Sequence, residues 1–243
     1  MARHTQSGPL RVLQNLYPKG HAVCQNVLVH PRGGLVGGDL LGIRVQAHAG
    51  AHGLITTPGA NRYSRSGARL EWLPQEAICY NACLAENRLT LALEPGAELL
   101  GWDVTALGLP HAGLPFLQGR FHQHLELPGI WLERGTIAAS DSRLLDSPVG
   151  LAGQRCMALA FFITGNPMER SRRLQALDCA RAAIANHRLA ATAGVISPHA
   201  QVLVARALAP MVEPAMSLMR QVWASWPANL WEKTAQSPRI RAT

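Results

Sequence analysis

Short apolar segments, each bounded by glycine, proline or asparagine, fill the first two thirds of this 243-residue sequence. Over residues 41–49 the apolar side chains fall on every second position, which is typical of a strand with one buried face. Similar segments recur at spacings of roughly ten residues. Their ranges are 27–29, 53–56, 77–82, 89–93, 121–127 and 130–133. The pattern predicts a mainly β chain rather than a doubly wound parallel sheet.

Helical periodicity is confined to the last third of the sequence. Asn166 and Pro167 form a helix-start signal, and the apolar spacing that follows predicts a helix over 167–187. A second helix is predicted over 210–224, with a strand between the two at 201–207. Many strands with two late helices favour a mostly antiparallel architecture. Because no repeat or linker divides the sequence, residues 1–243 are expected to form a single domain.

Composition and charge narrow the functional classes. Hydrophobic residues make up 48% of the chain and charged residues 16%, which excludes a disordered charged tail. No apolar run is long enough to span a membrane and no secretion signal is recognisable, so a cytoplasmic location is expected. The 23 basic residues against 15 acidic ones give a net charge of +8, which implies acidic partners. An acidic protein is favoured over a nucleic acid, because the basic residues are scattered and aromatic residues are only 5%.

The five cysteines are interpreted as reduced, since an odd number in a chain without a secretion signal does not suggest a disulfide framework. Cys79 and Cys83 could chelate a metal if they lay on one helix. The surrounding sequence predicts a strand instead, along which they would be separated by roughly 13 Å. Both are therefore expected to be small buried or half-buried packing residues.

The segment at residues 30–39 reads HPRGGLVGGD. It contains Gly33, Gly34, Gly37 and Gly38. Clustered glycines indicate backbone freedom or close approach, and a phosphate loop is disfavoured because a strand, not a helix, follows. Two interpretations stay open: a turn in which Asp39 binds neighbouring backbone amides, or a loop that presents Asp39 as a functional acid.

Two later segments carry polar side chains suited to binding. Arg62 and Arg65 have a spacing that fits a carboxylate or phosphate, although a solvated face explains them equally well. Gln75 and Glu76 lie at the entry to a predicted strand, and Glu76 could act as an acid or base. Spacing identifies no partner carboxylate for Glu76.

His122, His124 and Glu126 alternate along one predicted strand and therefore point to one side. They could hold a metal in a metal-dependent hydrolase, but any solvent-facing strand shows the same polar alternation. The sequence contains no G-x-S-x-G, no H-E-x-x-H and no recognisable Cys/His nucleophile signature. The residues by themselves thus provide no catalytic constellation.

A series of motifs, in order along almost the whole chain, resembles the family of urease accessory protein UreD, called UreH in some organisms. The motifs are GPLRV at 8–12, HPRGGLVGGD at 30–39, TTPGA at 56–60, LPQE at 73–76, GWD at 101–103, LLDSPVGLAG at 144–153, LVAR at 203–206 and PRIRAT at 238–243. Each is weak by itself, and their order makes the resemblance specific. The chain departs from the family at Arg32, Leu109 and Arg241, where Pro, Arg and Trp are usual, and at Pro115, near an expected Glu-x-Phe. The strands that usually precede GPLRV are also expected to be missing, unless the start of the sequence is misassigned.

The resemblance implies a fold that is mainly β: a multi-stranded, helically stacked, solenoid-like sheet body with two α-helices near the C-terminal third. It implies a non-enzymatic maturation chaperone that works in the cytosol with UreF and the GTPase UreG. This chaperone would bind the urease apoprotein, support nickel insertion and could be dimeric within the accessory complex.

No tightly bound cofactor is implied, only nickel in transit along an internal route lined partly by acids. Asp39, Glu76 and Asp103 are the positions carried over as polar lining. Carboxylates hold a divalent ion weakly enough to release it. A structural role for all three acids is the alternative. The glycines of the 30–39 segment, Arg62, Arg65 and Gln75 are assigned to partner binding or to structural motifs.

Overall fold

The computed structural model describes residues 2–18, 22–30, 34–35, 37–56, 61–64 and 67–231, with backbone only for 61–64. The strands are β1 (Arg11–Val12), β2 (Cys24–Val29), β3 (Arg44–Ala47), β4 (His52–Thr56), β5 (Asn61–Ser64), β6 (Arg69–Trp72), β7 (Ala77–Cys79), β8 (Cys83–Leu93), β9 (Glu98–Leu109), β10 (Leu114–Pro115), β11 (Gly119–Leu127), β12 (Trp131–Ala138), β13 (Cys156–Thr164), β14 (Ala193–His199) and β15 (Val202–Ala209). The helices are α1 (Ser142–Asp146), α2 (Arg170–Ala185) and α3 (Val212–Leu230). The mainly β prediction, with two long helices towards the C-terminus, is confirmed.

The strands form two facing sheets. Sheet 1 has ten strands in the order β1-β2-β4-β6-β9-β13-β15-β14, with β7 and β10 also paired to β9. Sheet 2 has five strands in the order β12-β11-β8-β5-β3. From β2 to β6 the chain alternates between the sheets, and each strand pairs in parallel with the strand of the preceding turn. The same parallel stacking continues through β8, β9 and β11. The expected solenoid-like stack of strands is therefore present.

The expectation of mostly antiparallel pairing is wrong for this stacked part. Antiparallel pairs are found between β1 and β2 and in the later strands, where β9, β13, β15 and β14 follow one another in sheet 1. A chain that winds repeatedly between two sheets returns to each in the same direction, so neighbours become parallel without a crossover helix. Period-two alternation reports one buried face and does not report the direction of the neighbouring strand.

Sheet 1 is the middle of three layers, with α2 and α3 on one face and sheet 2 on the other. Strand β9 shows how the sequence serves both faces: Leu100 and Trp102 pack under the helices, while Leu99 and Leu107 face sheet 2. Such a strand is apolar on both sides and has no period-two signal. For that reason the sequence did not predict β9 or β13.

The helices end close to their predicted bounds, except that α3 continues to Leu230. Helix α1 was not predicted, because five residues are too few to show helical periodicity. Its start is fixed by Asp141, whose side chain accepts a hydrogen bond from Leu144 N at 3.0 Å. None of the helices in the described ranges combines the length and apolar character needed to cross a bilayer.

The strand predicted over 77–82 is interrupted by a change of sheet. Strand β7 ends in sheet 1 at Cys79, and after a turn through Tyr80, Asn81 and Ala82 the chain starts β8 of sheet 2 at Cys83. The prediction that the two cysteines lie along one strand is therefore wrong. Their expected packing role is confirmed, since Cys79 is buried and Cys83 is half-buried against the same apolar cluster.

Candidate functional site

Asp103 lies in the middle of β9 with its side chain between the two sheets. Its Oδ2 accepts a hydrogen bond from Asn87 Nδ2 of β8 at 2.6 Å. Its Oδ1 accepts hydrogen bonds from Gln123 Nε2 of β11 at 2.7 Å and from Thr105 Oγ1 at 3.3 Å. Asn87 and Gln123 are direct partners in the parallel pairing of β8 with β11. We call these four residues the inter-sheet polar cluster, in which two amides of sheet 2 hold one carboxylate of sheet 1.

The inter-sheet polar cluster separates two apolar clusters within the same inter-sheet space. One contains, among others, Leu89, Leu91, Leu99, Leu125 and Phe161. The other contains Cys79, Leu107, Phe116, Phe121 and Ile137. Burying polar groups between apolar layers costs free energy unless they are hydrogen-bonded. The inter-sheet polar cluster therefore suits one of two roles. It could fix how the two sheets are aligned face to face, or it could bind a polar ligand.

Burial raises the pKa of the Asp103 carboxyl above its ordinary value, and the hydrogen bonds from Asn87, Thr105 and Gln123 partly oppose that rise. The residue nevertheless keeps partial solvent access. Carboxylate oxygens are possible ligands for a divalent cation.

A cross-sheet ion pair lies next to the inter-sheet polar cluster. Arg206 of β15 binds Glu133 of β12 and so joins sheet 1 to sheet 2. Asp103, Leu159 and Arg206 form one row across sheet 1, which separates the Asp103 and Arg206 Cα atoms by roughly 10 Å. The side chains of Arg206 and Glu133 are 43% and 24% exposed, so the pair lies towards solvent. Sequence reasoning missed it, although Arg206 is the single charged residue of the apolar strand β15.

Glu76 is not part of the inter-sheet polar cluster. It directly precedes β7, and its charge acts on Cys156, which packs in the core under the helices. Burial first, and the charge of Glu76 second, raise the pKa of the Cys156 thiol to about 12. Asp103 projects from the other face of sheet 1, so the structure does not bring these two carboxylates together.

Asp39 lies on an exposed loop that leads into β3. Gly34 and Gly38 before it have φ angles of 72° and 91°, in the left-handed region that favours glycine. A Cβ at either position, or at Gly37, would meet no atom within 4 Å. The three glycines therefore serve the turn of the backbone rather than a close approach. Gly33 lies outside the described residues.

The remaining predicted binding positions do not converge on Asp103. Gln75 is exposed just before β7. Arg62 lies on β5, where the backbone alone is described, and Arg65 lies outside the described residues.

His122, His124 and Glu126 lie on β11, but their contacts differ. His124 Nε2 lies 3.1 Å from Glu126 Oε2, and the proximity of His124 first, then the hydrogen bond from Thr90, lower the Glu126 pKa. His122 Nδ1 instead contacts Thr136 Oγ1 at 2.7 Å. Within the described ranges no three His, Cys, Asp or Glu side chains are grouped so that they could hold a metal ion. The geometry therefore does not favour the hydrolase interpretation.

Two carboxylates on the helix side of sheet 1 have structural partners that sequence reasoning missed. Glu71 is bound at 2.8 Å by both His52 Nε2 and Trp223 Nε1. Glu98 accepts a hydrogen bond from Arg172 at 2.6 Å. These contacts fix α3 and α2 on the sheet. Glu71 and Glu98 therefore anchor the helices, whereas Asp103 lies between the sheets.

Comparison with known proteins gives a consistent result. A family model described as "UreD urease accessory protein" matches residues 1–242. Urease accessory protein UreD of Polaromonas naphthalenivorans (strain CJ2) is 60% identical over 255 residues, which cover 99% of this chain and 92% of that protein. The protein of the same name from Variovorax paradoxus (strain S110) is 58% identical over 258 residues, covering 100% of this chain and 94% of that protein. A third, from Leptothrix cholodnii (strain ATCC 51168 / LMG 8142 / SP-6), is 49% identical over 258 residues, covering 100% of this chain and 93% of that protein.

Proposed function

We propose a function from one premise: this chain belongs to the UreD family of urease accessory proteins and has a role in urease maturation. In this proposal it is a non-enzymatic chaperone of the cytosol. It assembles with UreF and UreG on the urease apoprotein and supports GTP-dependent nickel insertion. Nickel is its cargo in transit, not a resident cofactor.

The inter-sheet polar cluster is the observation that supports a nickel route through the protein. Asp103 of sheet 1 projects among polar side chains of sheet 2, unlike Glu71 and Glu98, which bind the helices. Because burial raises the pKa of the Asp103 carboxyl, this group takes up a proton more readily than an ordinary Asp when a cation departs. A single carboxylate with neutral amide neighbours would hold Ni²⁺ loosely, as transit requires.

In this proposal Asp39 and Glu76 are separate positions along the nickel route, not ligands of one site. Asp39 is exposed, and Glu76 lies by the core under the helices. Partner contacts are proposed for the loop around Gly33, Gly34, Gly37 and Gly38 and for Arg62, Arg65 and Gln75. A net charge of +8 supports an acidic surface on the partner, whether this chain acts singly or as a dimer.

The test is urease activation in cells that carry the urease genes with this gene deleted or replaced. Deletion should leave urease without nickel. Asp103→Asn keeps the size of the side chain and should reduce the nickel content of purified urease by roughly tenfold. Asp178→Asn is the matched control, because that carboxylate is 70% exposed on α2.

Three outcomes separate the parts of the proposal. Full nickel loading after deletion would refute the accessory function itself. Full loading with Asp103→Asn, while deletion abolishes it, would refute the route past Asp103. Failure of UreF, UreG and urease to co-purify with the wild-type protein would refute the scaffold role.

A further inference from the structure

The turn between β7 and β8 brings two cysteines together. Cys83 N donates to Tyr80 O at 3.2 Å, which closes a β-turn, and Ala82 within it has a φ of 65°. The ends of a β-turn lie within about 7 Å of each other. Cys79 directly precedes this turn and Cys83 ends it, so each sits at the start or end of a strand in a different sheet.

The turn is held by a second segment, so its shape does not depend on the cysteines. The Asn81 side chain accepts hydrogen bonds from Leu117 N and Gln118 N, both at 2.8 Å. Ala82 N donates to Gln118 O at 2.9 Å. The two strand ends are therefore fixed at one corner of the inter-sheet space.

The thiols of Cys79 and Cys83 lie near enough at that corner for each to shift the pKa of the other. They pack on the same apolar cluster, which includes Phe116 and Phe121. Disulfides in proteins join Cα atoms separated by about 4.4–6.8 Å. Two cysteines that flank a tight turn and pack on one apolar cluster need little backbone movement to meet this condition.

We propose that Cys79 and Cys83 are a reversible oxidation site, which closes as a disulfide between β7 of sheet 1 and β8 of sheet 2. The oxidant is a peroxide. The half-buried Cys83 sulfur attacks hydrogen peroxide, the O–O bond breaks, and Cys83 sulfenic acid and one water form. The Cys79 sulfur then attacks the Cys83 sulfur, the S–O bond breaks, and the second water leaves. Two thiols are oxidised and one peroxide is reduced to two waters.

The environment assigns different roles to the two sulfurs. Cys83 is the more exposed; burial raises the pKa of its thiol, and the neighbouring Cys79 thiol partly opposes that rise. Cys79 is 4% exposed, and burial raises its pKa further. Cys83 is therefore the sulfur that a peroxide meets first, and Cys79 is the one that resolves it. The raised pKa of both thiols makes the reaction slow at neutral pH.

The other cysteines lack this arrangement in what the structure describes. Cys24 Sγ contacts Asn26 Oδ1 at 3.6 Å, and Cys179 Sγ donates to Ala176 O at 3.3 Å. Cys156 is buried under the helices. Oxidation should therefore be selective for the pair at the turn, and this inference does not depend on the nickel route.

The test is mass spectrometry of the purified full-length chain after treatment with hydrogen peroxide. We expect loss of two hydrogen atoms, a cross-linked peptide containing Cys79 and Cys83, and full reversal by dithiothreitol. Cys79→Ser should abolish the cross-link and leave sulfenic acid on Cys83, detectable with dimedone. Cys179→Ser is the matched control and should leave the cross-link unchanged.

The proposal is overturned if folded, peroxide-treated wild-type protein yields no Cys79–Cys83 cross-link. It is also overturned if treated wild-type protein yields cross-links among all cysteines in comparable amounts, because that is the result of unfolding. If Cys79→Ser does not fold, the wild-type peptide map gives the decision.

Discussion

At the scale of single residues, the segment GWD shows three neighbours with three different tasks. A Cβ on Gly101 would lie 2.6 Å from Phe161 Cζ, so no larger residue fits under that ring. Trp102 fills the core on the opposite face of β9 and donates from Nε1 to Pro74 O at 2.8 Å. Asp103 turns back between the sheets. The motif thus combines a packing constraint on either side of the strand with one polar group.

A first prediction concerns the pH dependence of stability that Asp103 brings. Its pKa is raised in the folded protein, so on raising the pH the unfolded chain loses this proton first. The Asp103 contribution to the free energy of unfolding is fully present below the ordinary Asp pKa and is lost as pH rises through the folded pKa. The loss is about 1.4 kcal/mol for each pH unit that separates the two pKa values. Asp103→Asn removes this titration, so relative to wild type the variant should gain stability with rising pH.

Urea unfolding of both proteins from acid to neutral pH measures that difference. Asp178→Asn, on the exposed side of α2, should run parallel to wild type across the same range. A constant gap between Asp103→Asn and wild type at every pH would show that burial does not disfavour the Asp103 charge.

At the scale of elements, the strands predicted most accurately from the sequence are those with one buried face and one solvent-exposed face. Strand β11 comes close to this pattern, although His124 on its outer face is buried, and its bounds were predicted within two residues. Strands β9 and β13 are enclosed on both faces, so their sequences show neither alternation nor helical spacing. The change of sheet at Cys79 was missed because its turn contains neither glycine nor proline, and Asn81 alone did not divide the segment predicted over 77–82. Ala82 takes the left-handed conformation there instead.

A second prediction concerns the anchoring of α3. Trp223→Phe keeps most of the ring but removes the Nε1 donor to Glu71, which is 7% exposed. Leaving a buried carboxylate oxygen without this hydrogen bond should lower the free energy of unfolding by about 1–3 kcal/mol. Gln221→Ala, on the exposed side of α3, is the control and should change it little. Equal stability of the two variants would show that the Glu71 contact does not hold the helix.

At the scale of the whole molecule, the candidate site forms because the chain winds repeatedly between the two sheets. Asp103 meets Asn87 and Gln123, and Arg206 meets Glu133, because strands far apart in sequence are stacked face to face. The family motifs identified Asp103 as a single residue. Neither spacing nor motif could identify its amide partners, since the facing of two sheets is decided by packing rather than by local sequence.

The same layering predicts an order of opening, which hydrogen exchange can measure. Strand β13 is covered by α3 on one face and by sheet 2 on the other, and Phe161, Phe162 and Ile163 are 0% exposed. Its amides should exchange only through global unfolding. Strand β3 lies at the edge of sheet 2 with alternately exposed side chains, so its amides should exchange through local opening. We expect them to exchange faster than the β13 amides by a factor on the order of 10³ or more. Comparable protection of β3 and β13 would mean that the stacked strands and the helix-covered sheet unfold as one unit. A clear separation would show that the inter-sheet space can open at the stacked end while the layer that carries Asp103 stays folded.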